Sequence, residues 1–258
     1  MRNDVGVFII THKRAEKVLT LEMFEKAKYS GQIWLVVDDQ DEQLAQYKAK
    51  YKNLLVFSKE DYKNDIDTHI NKFEMNGAIF ARNACNDFAQ SMRLQYFFVC
   101  DDDLKRIYIK NPITGKMITK ESTKSIETII EKMVEYLESA KQIKAIALAD
   151  DGAFFGGINK EVQQGIKYTL TKIMLYRAEE PVKYESSLFE DMATVYSGYG
   201  IGELAFSIMM ASVSSLKNGT NEGGCKELYE KLSYYIGGFM VMMCRPDAVK
   251  IIQKKMEN

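Results

Sequence analysis

The chain has 258 residues, 46% of them hydrophobic and 28% charged, with a formal net charge of −1. That length supports one sizeable core or two small ones, and the near-neutral balance argues against a uniformly basic nucleic-acid binder. The longest apolar run, Leu204 to Val213, is too short to span a bilayer, and no secretion signal is visible, so the expectation is a cytoplasmic protein with no membrane partner.

Val5 to Ile10 is apolar without alternation, the pattern of a strand buried on both faces. A polar turn, Thr11-His12-Lys13-Arg14, leads into a helix pattern with Ala15, Leu19, Met23 and Ala27 at four-residue spacing, ended by Gly31. Ile33 to Val37 reads as a second buried strand that stops at Asp38-Asp39. Glu42 to Lys50 reads as a helix, Leu54 to Phe57 as a strand, Ala78 to Met92 as a helix and Tyr96 to Cys100 as the fourth strand. Leu104 to Lys124 is polar and lysine-rich, a loop or hairpin. Ser125 is placed to cap a helix whose apolar face is Ile126, Ile129, Ile130, Met133, Val134 and Leu137. Ala145 to Ala149 and Lys172 to Tyr176 read as strands. Leu204 to Leu216 and Lys226 to Tyr235 read as helices, Phe239 to Met243 as a last strand, and the chain from Pro246 as a last helix.

This alternation implies an α/β fold with a mixed, mainly parallel sheet flanked by helices. No linker or repeat is visible, so residues 1–258 read as one domain, with residues 1–110 as one half and 111–258 as the other. In such sheets ligands sit beyond the carboxyl ends of the strands. Polar clusters fall at those ends: Thr11 and Arg14, Asp38 and Asp39, and Asp101 to Asp103.

The acidic triplet is the most informative feature. Three adjacent carboxylates repel one another, and a divalent cation with oxygen ligands is the simplest compensation. Residues two apart on a strand share a side, so Asp101 and Asp103 are expected to face one site and Asp102 to turn away. Mn²⁺ or Mg²⁺ there would neutralise a diphosphate; the competing reading is a solvated acidic turn. In Gly77-Ala78-Ile79-Phe80-Ala81-Arg82-Asn83-Ala84, Arg82 falls in the first turn of a helix, against the dipole, which suits a nearby anion. Thr11 and Arg14 lie where a nucleotide would, and Asp38 or Asp39 would accept a hydrogen bond from a pyrimidine ring.

Glu190-Asp191 is the candidate for general-base work on a hydroxyl, and equally a helix-start acidic pair. Asp150-Asp151 is a rival. The Gly223-Gly224 segment is a lid or a plain connection. His12 and His69 have no metal-ligand partner at useful spacing, and the four scattered cysteines, Cys85, Cys100, Cys225 and Cys244, read as reduced thiols.

Taken in order, T-x-x-R after strand one, V-V-D-D after strand two, G-x-x-x-A-R-N before strand four and D-D-D at its end resemble the GT-A glycosyltransferases over about the first 110 residues. The wider pattern is most similar to small phage-type enzymes, including the TET-associated group that acts on modified bases in DNA. The resemblance implies that Thr11 and Arg14 line the nucleotide pocket, that Asp39 with Asp38 contacts the base, and that Arg82 approaches the base or the diphosphate. It further implies that Asp101 binds ribose or metal, that Asp103 is a metal ligand, and that Asp191 matches the Glu-Asp base of inverting members.

The expected activity is metal-dependent transfer of a sugar from a nucleotide-diphosphate sugar, a uridine diphosphate sugar on family grounds, to a hydroxyl. A hydroxymethylated pyrimidine in phage DNA is the first acceptor considered. Lys105, Arg106, Lys110, Lys116, Lys120 and Lys124 would then face phosphates. The alternatives are a glycan or other small acceptor, or a binding module without catalysis.

Overall fold

The computed structural model describes residues 2–64, 77–110, 117–118, 126–150, 170–180, 182–184, 186, 188–197, 202–216, 236–243, 246–247 and 249–251. The elements are β1 (Val5–Ile10), α1 (Leu19–Lys26), β2 (Gln32–Asp38), α2 (Leu44–Lys50), β3 (Leu54–Phe57), α3 (Ile79–Ser91), β4 (Tyr96–Asp101), β5 (Leu104–Lys110), β6 (Met117–Ile118), α4 (Ile126–Glu138), β7 (Ile143–Asp150), β8 (Ile173–Arg177), α5 (Glu190–Ser197) and β9 (Leu204–Ser215). Residues 236–243 form a further helix, α6.

Every residue of β1 is buried, and its side chains alternate between two cores. Val5, Val7 and Ile9 pack with Leu35, Val37, Phe98 and Cys100 on one face, under Met23 and Phe24 of α1, Tyr47 of α2 and Ile130, Met133 and Leu137 of α4. Phe8 and Ile10 pack with Val36, Phe97 and Val99 on the other, under Ile79, Phe80, Ala84, Cys85 and Ala89 of α3. An unbroken apolar run is what a strand covered on both faces requires.

The strands form one sheet in the order β3-β2-β1-β4-β8-β7-β9-β5-β6. β3, β2, β1 and β4 are parallel. The chain runs outward from β1 through β2 to β3 and then returns to the other side of β1, so a crevice opens between the carboxyl ends of β1 and β4. β8 is antiparallel to both β4 and β7. This brings Lys172, just before β8, against Asp101: the Asp101 N–H donates to the Lys172 carbonyl at 3.0 Å. It also brings Asp150, at the end of β7, to the same edge of the sheet.

Two expectations are corrected. Leu204–Ser215 is a strand and not a helix; it fills the slot between β7 and β5, with Ser207, Ser212 and Ser214 buried alongside Ala205, Phe206 and Val213. Pairing on both edges overrides the helix preference of its Ala, Leu and Met residues. Residues 236–243 are helical and not a strand, and Met240 and Val241 turn inward while Phe239 and Met243 stay exposed. At Pro246 the chain makes a turn, and the start of the expected last helix is not helical. Leu104–Lys110 and Met117–Ile118 pair antiparallel, which is the hairpin alternative for that segment. Ser125, Asp151, Lys116, Lys120, Lys124, His69, Cys225, Cys244, the Gly223-Gly224 segment and the expected helix over 226–235 lie outside the described residues, whereas Cys85 and Cys100 are buried free thiols. Among the described residues no helix is long and apolar enough to cross a membrane.

Candidate active site

The acidic turn between β4 and β5 is held from three sides. From α1, the buried Thr20 donates its hydroxyl to the Asp101 carbonyl at 2.5 Å and its N–H to the Asp102 carbonyl at 3.1 Å, while its Oγ1 accepts the Leu104 N–H at 2.9 Å. From the end of β1, Thr11 donates to Asp102 Oδ2 at 2.7 Å, and Arg14 pairs with Asp102 Oδ1. From α2, the buried Tyr47 hydroxyl shares a 2.9 Å hydrogen bond with Thr11 and accepts the Arg14 N–H at 2.8 Å. Asp102 is therefore the buried anchor of the turn. Burial pushes its carboxyl up to about 6, against the pull of Arg14 and Thr11.

β4 ends at Asp101, which stays at the surface of the crevice between the buried Cys100 and Asp102. The Asp101 side chain is 26% exposed, with Oδ1 3.1 Å from Arg82 Nη2. Asp103 is partly buried; burial and the Asp101 charge raise its carboxyl, and Lys172 and Arg14 offset this.

Arg82 lies in the first turns of α3 and is buried, with a side-chain exposure of 6%. Besides Asp101, its Nη2 lies 3.4 Å from Glu190 Oε1, its Nη1 contacts the Met174 sulfur at 3.3 Å, and its guanidinium sits 5.7 Å above the Tyr184 ring. Glu190 reaches this point because the segment after β8 is tied along α3. Gln90 Nε2 donates to the Ala178 carbonyl at 3.1 Å, Asn86 Nδ2 to the Val182 carbonyl at 2.7 Å, and Asn83 exchanges two 2.9 Å bonds with the backbone of Tyr184. The segment climbs α3 toward its N-terminus and delivers Glu190-Asp191 beside Arg82. Burial raises both carboxyls, and Arg82 pulls both down. Asp191 Oδ1 accepts its neighbour Met192 N–H at 2.9 Å.

Asp38 and Asp39 have different surroundings. Asp38 is buried and paired with Lys59, from the turn after β3, whereas Asp39 is exposed and its N–H donates to the Phe57 carbonyl at 2.8 Å. Next to them the fully buried Asp41 carboxylate lies 2.9 Å from His12 Nδ1 and accepts the N–H groups of Lys13 and Gln43, each at 2.8 Å. The structure thus gathers Thr11, Arg14, Arg82, Asp101, Asp103, Glu190 and Asp191 around one crevice, with Asp38 and Asp39 at the end of β2. Reading the sequence missed Thr20, Tyr47, Lys59, Asp41 and Lys172. Asp41, Lys59 and Lys172 lie close to strand ends, whereas Thr20 and Tyr47 sit inside α1 and α2 and carry no such signal.

Comparison with known proteins bears on this arrangement. No curated protein matches the chain. Among solved structures, the mannosyltransferase PcManGT from Pyrobaculum calidifontis, in complex with GDP-Man and Mn²⁺, aligns with a TM-score of 0.53 at 10% identity, over 97% of this chain and 77% of that one. Glucosyl-3-phosphoglycerate synthase from Mycobacterium tuberculosis, in complex with phosphoglyceric acid, aligns with a TM-score of 0.50 at 9% identity, over 96% and 81%. Both are GT-A glycosyltransferases, and the likeness is one of fold. The family described as TET-Associated Glycosyltransferase matches residues 5–224, which takes in every strand of the sheet and both acidic clusters. The chain belongs to this family and is a glycosyltransferase of GT-A type.

Proposed function

We propose that the chain transfers a sugar from a nucleotide-diphosphate sugar to the hydroxyl of a hydroxymethylated pyrimidine in DNA, with a divalent cation bound at the acidic turn. The observation that carries this reading is the Arg82 guanidinium lying between two acidic clusters, Asp101 at the end of β4 and Glu190 at the start of α5. One cluster has the chemistry for a diphosphate and its cation, and the other for an acceptor hydroxyl. Residues 1–110 hold the donor, and residues 111–258 shape the acceptor side.

The donor set fits a hard cation. Among the described residues no group of three or more His, Cys, Asp or Glu forms a protein cage for an ion. Asp101 and Asp103 instead offer carboxylate oxygens at the acidic turn, where burial and the Asp101 charge already raise Asp103. Two carboxylates suit Mg²⁺ or Mn²⁺ that completes its shell with diphosphate oxygens and water. When bound, the cation supplies neutralisation of the charge on the leaving nucleoside diphosphate.

The chain's own groups do the rest. Asp102, held by Thr11 and Arg14, fixes the turn that presents Asp101 and Asp103. Asp39, exposed at the end of β2, accepts a hydrogen bond from the nucleotide base. Asp191 takes the proton of the acceptor hydroxyl as its oxygen bonds to the anomeric carbon and the bond to the diphosphate oxygen breaks. Its raised carboxyl makes it a better proton acceptor than an exposed aspartate. The exposed Lys105 and Arg106, on β5 directly after the acidic turn, offer charge to DNA phosphates. The family's association with TET proteins supports the DNA acceptor, and a uridine nucleotide is the donor favoured on family grounds.

The test is release of nucleoside diphosphate from a panel of nucleotide-sugars with Mn²⁺, without acceptor and then with hydroxymethylated DNA. Release that rises with the modified DNA supports the proposal. Slow release that DNA leaves unchanged rejects the DNA acceptor and keeps the donor reading; no release from any donor rejects both.

A further inference from the structure

Arg82 has two acidic partners on one nitrogen. Nη2 is 3.1 Å from Asp101 and 3.4 Å from Glu190, and the two carboxylates come from different elements, the end of β4 and the start of α5. The rest of the guanidinium faces a thioether and an aromatic ring, neither of which carries negative charge. A buried guanidinium must keep a counter-ion, because a charge stranded in a site of low dielectric loses its hydration with nothing in return.

Asp101 has competing claims on it. The same carboxylate neutralises Arg82 and stands in the turn assigned above to a divalent cation. A cation drawing on Asp101 weakens its hold on Arg82. Glu190 has no place in that turn. It arrives on a separate element, is itself almost enclosed, with a side-chain exposure of 12%, and points its carboxylate at the same nitrogen. Its neighbour Asp191 directs Oδ1 to the helix backbone.

We infer that Glu190 is a positioning residue, the reserve counter-ion of Arg82, which keeps the guanidinium neutralised and in place when Asp101 turns to a divalent cation. The inference rests on the reading of Asp101 given under the proposed function. It separates the two acids of the pair: Asp191 meets the acceptor, and Glu190 makes metal uptake possible without touching metal or sugar. It also gives Arg82 a task other than contact with the nucleotide, since its burial leaves little of it for a ligand to reach.

Two measurements at pH 8 test this. The first uses metal-free protein and the thermal midpoints of Asp101→Asn, Glu190→Gln and the double variant. Each single variant leaves one carboxylate on Nη2 and is expected to melt close to the wild type. The double variant removes both carboxylates paired with Nη2 and leaves only the Asp191 charge nearby, and its midpoint is expected to fall by more than the two single changes together. A double variant that fails to fold while both single variants fold is the same result; additive changes overturn the inference.

The second is calorimetric titration of Mn²⁺ in the presence of uridine diphosphate. Glu190→Gln is expected to weaken Mn²⁺ binding by about tenfold or more, the range for residues one step removed from a metal. Asp191→Asn removes a charge from the same helix start and is expected to weaken it less. Equal effects of the two variants, or none from Glu190→Gln, overturn the role of Glu190 and leave the proposed function standing. Absence of Mn²⁺ binding in the wild type overturns the assignment of Asp101 to a cation, and the role of Glu190 with it.

Discussion

The Thr11 hydroxyl donates to Asp102 Oδ2 at 2.7 Å across the crevice between β1 and β4, and the Tyr47 hydroxyl closes on the same oxygen of Thr11 at 2.9 Å. Three elements of the sheet edge meet at one buried oxygen. Thr11→Val keeps the shape and removes the donor, leaving Asp102 and Tyr47 each short of a bond. The expected loss is about 1–3 kcal/mol of unfolding free energy, read by urea denaturation. An unchanged midpoint would mean that the turn is held by Thr20 and Arg14 alone.

Asp103→Asn removes an anionic oxygen from the acidic turn at nearly constant volume. Turnover is expected to fall by roughly 100-fold or more, with the far-ultraviolet spectrum and the melting midpoint preserved. Retained turnover would move the metal role to another group.

Asn83→Ala cuts both bonds that hold Tyr184 to α3. The backbone groups left behind are buried, so the expected cost is about 1–3 kcal/mol. Activity should fall further than the loss of folded protein explains, because the segment positions Glu190 and Asp191. Turnover per folded molecule that equals the wild type would show that the segment does not set their position.

The pH dependence of stability follows from Glu190. Burial raises its carboxyl above the ordinary value, so the native state holds that proton more firmly than the unfolded chain does. Stability from this group is then present at low pH and declines as pH rises above about 4.5, the ordinary glutamate value. Glu190→Gln cannot titrate, so relative to the wild type it should gain stability as pH rises from about 4.5 to about 7 and level off above that. A difference between the two proteins that stays flat, or that slopes the other way, would show that Arg82 outweighs burial.

Gly237, in α6, lies against Phe189, and a Cβ there would collide with the Phe189 ring. Phe189 directly precedes Glu190 and adopts φ 50°. Gly237→Ala is expected to destabilise by about 1–3 kcal/mol and to lower turnover by shifting Phe189. Full activity in this variant would show that Phe189 moves aside without disturbing the acids behind it.

The first four strands were legible because each is an apolar run too short for a helix and ended by polar residues. β9 was not: its serines, alanines and methionines carry no alternation, and only the slot between β7 and β5 makes them a strand. The acidic triplet was legible as a site, and Asp102 does part from its neighbours, but not for the reason that strand alternation gives. Period-two reasoning applies along a strand, yet β4 stops at Asp101 and the next two residues form a turn, so Asp102 goes to the anchor. Lys59, Tyr47 and the ties of Asn83 and Asn86 were beyond reach, because each joins residues whose only relation is their place on the finished sheet.

One face of α3 works as a ruler. Arg82, Asn83, Asn86 and Gln90 are spaced along a single rigid rod, and each fixes one point of the chain opposite. The separation between the acidic turn after β4 and the Glu190-Asp191 pair is therefore set by Arg82, which meets both, and by the three amides that hold the chain opposite along α3.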